Sequence, residues 1–185
     1  MLDNILRDIT KAKQHGAYLS ALAIALTLPN ILSNIEYEKR TGRTEYIEWF
    51  DTWVYKFYKQ PISENQSINK GVAATNFDGK MCYALRCSVL HAGNTDLDDR
   101  ERNVECFELC VSDVSAHCGD TFVCGTTEND TKGAYISLNV KGLIDSIIQG
   151  ANEYISQNRD KFPENGDYDD VKMFGSIKII NNKEQ

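Results

Sequence analysis

The sequence predicts a mostly α protein, a helical bundle that carries a small antiparallel β insertion before its last long helix. Three observations predict it. Apolar residues recur at helical spacing at both ends of the chain, in Leu2, Ile5, Leu6 and Ile9 and again in Leu143, Ile144, Ile147, Ile148, Ala151, Tyr154 and Ile155. The pattern switches to alternation only late, around residues 104–112. The length, 185 residues, suits a single core, and no internal repeat divides it.

The elements follow in order. The first helix should break at Gly16, and a second should run through Tyr18, Leu19, Leu22, Ala25 and Leu26 until Pro29 kinks or ends it. Its alanines would let a neighbouring helix approach closely. Ile31, Leu32 and Ile35 resume the helical spacing. Thr44 is the expected N-cap of an aromatic helix, with Tyr46, Ile47, Phe50, Val54 and Phe57 on one side and Trp49 and Trp53 alongside. That density reads as a core wall or a subunit contact.

Residues 61–71 form a polar loop, and Asp78 can cap the next helix. This helix is the most buried-looking of all: between Met81 and Leu90 only Arg86 and Ser88 are not apolar. Gly93 and Asn94 mark its end. Residues 95–102 read as a charged loop. Strands follow at 104–112, 121–124 and 134–138, with Phe107, Leu109 and Val111 on one face of the first. Asn139 caps the last long helix, and a short strand is expected at 174–180. The domain reading is therefore one helical domain over 1–162, with the β insertion at about 103–138, and a C-terminal extension over 163–185.

The formal net charge of -7 argues against a broad basic surface, though not against a small cationic site. Asp3, Arg7 and Asp8 replace the basic and apolar regions of a secretory leader, and the apolar run 21–28 is too short to span a bilayer. These features predict a cytoplasmic protein with no membrane role. Its six cysteines then read as reduced thiols. Cys106, Cys110, His117, Cys118 and Cys124 lack the paired spacing of a zinc site, and Asp96, Asp98 and Asp99 lack the glycine and terminal glutamate of a calcium loop. His15 and His117 read as surface residues. No metal and no cofactor is expected.

The residues with chemistry are Arg86 and His91. A buried arginine is expensive unless paired, and an imidazole at a helix C-terminus meets partial negative charge. At about 100° per residue, five residues turn roughly 140°, so the two share a face only if the last turn loosens. Together they could hold a phosphodiester, with His91 as general acid or base and Arg86 stabilising charge on phosphate oxygens. A plainer reading pairs Arg86 with Glu48 or Asp51 and bonds His91 to the last helical carbonyls.

The stretch Tyr83-Ala84-Leu85-Arg86-Cys87-Ser88-Val89-Leu90-His91-Ala92-Gly93 resembles the R-x4-6-H signature of HEPN domains. The surrounding helices suit that fold over residues 1–160. The resemblance implies a metal-independent endoribonuclease in which the RNA 2′-hydroxyl attacks the adjacent phosphate, in a site built by two protomers. It assigns phosphate and transition-state binding to Arg86 and acid–base catalysis or phosphate orientation to His91. It implies a homodimer, RNA or nucleotide as ligand, and a toxin–antitoxin or phage-defence setting with a cognate antitoxin. Cys87 stands where catalytic members often carry Asn, Asp or His, and Gly93 where antitoxin-paired members often carry tyrosine. Two other readings remain: a non-catalytic module binding a nucleotide or protein, and a structural homo-oligomer using Trp49 and Trp53.

Overall fold

The computed structural model describes residues 2–58, 77–93, 96–99, 104–111, 122–124 and 134–162. It opens with α1 (Leu2–Gln14), which buries Leu2 and Ile9. Gly16 ends it: its φ of 78° is left-handed, and the Ala17 N–H donates back to the Ala12 carbonyl at 2.9 Å. α2 (Tyr18–Ala25) and α3 (Leu28–Glu36) are two helices. Pro29 explains why. It has no N–H to give to the preceding turn, so it is tolerated only at the start of a new helix. Among the described residues, Tyr18–Glu36 is long and apolar enough to cross a membrane by length and composition, yet half of its apolar window is buried inside the protein. Leu22, Leu26, Leu28 and Leu32 are fully enclosed, as in core helices.

α4 (Arg43–Trp53) and the short α5 (Tyr55–Tyr58) carry the aromatic wall. Thr44 was the expected cap, but the helix starts earlier. The Glu45 carboxylate accepts the Gly42 N–H at 2.9 Å and so satisfies a donor the helix cannot. Tyr46, Trp49, Phe50 and Val54 are buried, so Trp49 belongs to the core and is not available to a subunit face.

α6 (Gly79–Cys87) begins as expected, with the Asp78 carboxylate accepting the Met81 N–H at 3.0 Å. It lies close on α4: the Gly79 N–H donates to Asp51 at 2.7 Å, and a Cβ at Gly79 would come within 2.6 Å of the Ile47 carbonyl. The expectation of a helix buried on most sides is not met. Gly79, Met81, Cys82 and Leu85 are buried, residues 83–90 are otherwise half-exposed, and 91–93 are exposed. The helix packs chiefly on α4, which covers one side of it. Its last residues widen into a π-turn, Ser88–Ala92, closed by Gly93 at a left-handed φ of 66°.

The sheet comprises β1 (Asp96–Asp99), β2 (Val104–Cys110), β3 (Phe122–Cys124) and β4 (Ala134–Asn139), in the order β1-β2-β4-β3. β1–β2 and β3–β4 are antiparallel, but the central pair β2–β4 is parallel, with Leu109 opposite Leu138. The expected all-antiparallel insertion is thus corrected. A parallel return needs a connection of about a dozen residues or more, which the chain between β2 and β4 provides. β1 was expected as loop, and it begins the insertion at Asp96, before the expected start at 103. Its aspartates disfavour a strand, and pairing with β2 overrides them. Phe107 and Leu138 tie the sheet to the core.

α7 (Val140–Gln157) starts where Asn139 accepts the Lys141 N–H at 3.1 Å, and it packs against α2, α3, α4 and α5. Tyr154, near its end, meets Trp49 and Trp53 edge-on and donates to Glu36 at 2.9 Å. A short 3-10 turn, Arg159–Lys161, follows. The polar loop expected at 61–71, the extension 163–185 and the strand expected at 174–180 lie outside the described residues.

Candidate functional site

The π-turn creates the site. In a regular helix, residues five apart point in different directions. Hydrogen bonds from i to i+5 widen the turn, so residues five apart swing back toward a shared face. Arg86 and His91 have that spacing, and the Arg86 Nη1 lies 3.2 Å from the His91 Nε2. A guanidinium can only donate, so Nε2 is the acceptor. Gly93 holds the turn closed, its N–H donating to the Ser88 carbonyl.

The plainer partners are committed elsewhere. Glu48 accepts the Tyr37 hydroxyl at 2.8 Å, and Asp51 accepts the Gly79 N–H at 2.7 Å. No described carboxylate forms an ion pair with Arg86. Its Nε is buried and has no hydrogen-bond partner. A donor left so costs free energy unless a ligand meets it. The guanidinium is positioned instead by a ring: its carbon lies 5.7 Å from the centroid of Tyr83, one helical turn earlier.

Tyr83 is itself fixed from below. Its ring meets Tyr46 edge-on at 5.3 Å, and the Tyr46 hydroxyl donates to the Leu26 carbonyl at 3.0 Å. Cys82 lies 3.4 Å from that hydroxyl. Burial drives both groups away from ionisation: the Tyr46 phenol is raised well above its ordinary range and the Cys82 thiol is pushed up to about 12. This layer is structural support, and neither group is a nucleophile. Cys87, the neighbour of Arg86, is half-exposed.

The sequence named Arg86 and His91, and the two are in contact. It missed Tyr83, although the i, i+3 spacing to Arg86 was visible. It also missed Arg43, whose guanidinium carbon lies 5.9 Å from the same Tyr83 ring. Nothing local links Arg43 to Tyr83; the packing of α4 on α6 does. Of the residues weighed for metals, Cys110 donates to the Leu138 carbonyl, and His15, read as a surface residue, bonds the Lys11 carbonyl at the exposed end of α1. Among the described residues no cluster of three or more His, Cys, Asp or Glu is placed to hold a metal. His117 and Cys118 lie outside the described residues.

No protein-family model, no curated protein and no solved structure matches the chain.

Proposed function

We propose that the chain is a HEPN-like, metal-independent endoribonuclease that acts as a homodimer, with Arg86 and His91 as its catalytic residues. One observation carries the reading: Arg86, without a carboxylate partner among the described residues and with an orphaned buried Nε, donates to the imidazole that would do the acid–base work. A phosphodiester is the counter-ion that this arrangement lacks. Its oxygens compete for the guanidinium and draw it away from Nε2. The freed Nε2 takes the proton of the 2′-hydroxyl as that oxygen attacks the adjacent phosphorus. The bond to the 5′-oxygen breaks and that oxygen takes up the proton held on Nε2, leaving a 2′,3′-cyclic phosphate, a 5′-hydroxyl and a His91 ready for the next cycle. Arg86 stabilises the charge that builds on the phosphate oxygens. In the dimer each protomer contributes one such pair, and an antitoxin would act by covering it. The free thiols of Cys82 and Cys87 accord with a reducing, cytoplasmic setting.

The test is cleavage of mixed RNA in EDTA by the wild type, Arg86→Ala and His91→Ala. The wild type cleaves, and each variant loses on the order of a hundredfold or more in rate. A folded, dimeric wild type that leaves RNA intact refutes the reading, as do variants that cleave as well as wild type.

One feature favours a second reading, a non-catalytic nucleotide-binding module. In the free protein Arg86 occupies Nε2, the atom a base would need. Nucleotides would then raise the melting temperature of the wild type but not of Arg86→Ala, without RNA cleavage.

A further inference from the structure

Two cations share one ring. Arg43, the first residue of α4, and Arg86, near the end of α6, both lie within cation–π distance of Tyr83, at 5.9 and 5.7 Å from its centroid. Like charges brought together repel, and carboxylates normally relieve them. Here neither guanidinium has an ion-pair partner among the described residues. The nearest acid in sequence, Glu45, is held by the Gly42 N–H and by Lys39 at 3.0 Å. The chain as a whole carries -7, so this is a local cationic site on an acidic protein.

We infer that Arg43 is a second phosphate-binding residue of the Arg86–His91 site, which therefore takes single-stranded RNA with two consecutive phosphodiesters rather than an isolated phosphate. The inference rests on the reading of the ligand as RNA. A polynucleotide backbone presents one anion after another, and two planar guanidinium forks set on one ring match that repeat better than a single anion does. Tyr83 is the positioning residue. Both guanidinium carbons lie within cation–π distance of its ring, and its edge-on contact with Tyr46 holds the ring, so the hydroxyl of Tyr83 is not needed. Arg43 is exposed and reaches the ligand from α4, while Arg86 reaches it from α6. The strand is gripped across the junction of the two helices.

The experiment measures binding of a 2′-O-methyl decanucleotide, which lacks the attacking hydroxyl, across a salt titration. Wild type, Arg43→Gln, Tyr83→Phe and Tyr83→Leu are compared. Arg43→Gln weakens binding about tenfold at low salt and makes the salt dependence shallower by about 0.7, the increment for one phosphate contact on a single strand. Tyr83→Phe behaves as wild type, and Tyr83→Leu reproduces the Arg43→Gln loss. In competition, wild type prefers a trinucleotide with two phosphodiesters over a dinucleotide with one, and Arg43→Gln loses the preference. An unchanged salt slope in Arg43→Gln overturns the inference even where wild type cleaves RNA. Absence of binding by wild type overturns it as well. Binding that depends on Arg43 without cleavage of unmodified RNA upholds it and refutes the nuclease.

Discussion

Single side chains set the charge pattern around the site. Glu45 is the clearest case. The Gly42 N–H, and after it Lys39, hold its carboxyl down at about 2, below the ordinary glutamate value of about 4.3. The unfolded chain therefore takes up this proton more readily than the folded one. The carboxylate's contribution is complete above the ordinary glutamate range and fades as the pH falls through that range towards about 2. Melting temperatures of wild type and Glu45→Gln should differ at neutral pH and converge in that acid window. A gap that persists undiminished through it contradicts the assignment. Glu36 behaves in the same direction, lowered by Lys161 and Tyr154, and it ties α3 to the end of α7. The Arg86–His91 pair was readable as a pattern because both residues lie on one stretch of chain. Its hydrogen bond requires the last turn to loosen, a condition visible in the spacing and met by the π-turn, whereas a regular helix would keep the two apart.

Helices and turns decide whether the pair meets. The π-turn is closed by Gly93, whose left-handed φ of 66° suits glycine and strains other residues. Nothing lies within 4 Å of a Cβ there, so Gly93→Ala costs only conformational strain, about 1–2 kcal/mol. The expected result is a small fall in melting temperature with a larger loss at the site, seen as weaker RNA cleavage or nucleotide binding. Equal losses in stability and function would show that the turn does not position His91. Gly79 is a different glycine. A Cβ there meets the Ile47 carbonyl at 2.6 Å, a backbone atom that cannot swing aside. Gly79→Ala therefore pushes α6 from α4 and costs about 1–3 kcal/mol by denaturant unfolding. A wild-type midpoint would mean that the two helices are not packed as closely as described. Both Asp78 and Asn139 were legible as caps, because capping is a contact between near neighbours. α4 starts before Thr44 because the Glu45 carboxylate satisfies the Gly42 N–H, a contact that Thr44 does not make.

Across the whole molecule, the sheet and the bundle share one core through Phe107, Leu138 and Phe77. Phe77 links them, meeting Phe107 edge-on at 6.3 Å and Phe50 at 6.2 Å. Phe107→Ala should cost about 3–5 kcal/mol and loosen the sheet from the helices. A single cooperative transition shifted to lower denaturant is expected. An unshifted midpoint would show the insertion to be an independent appendage.

Local chemistry was enough to read the mostly helical class, most helix boundaries and the presence of β2, whose Phe107 is buried while Val111 beyond its end is exposed. Periodicity, caps and breakers act between residues a few positions apart, so they are present in the chain before it folds. Strand partners, the half-exposure of α6 and the meeting of Arg43 with Tyr83 depend on which surfaces come together across long stretches of chain. The parallel β2–β4 pair and the two arginines beside the Tyr83 ring follow from that packing. No pattern in the neighbouring residues could have foretold them, because the interactions that select them exist only once the helices and strands have docked.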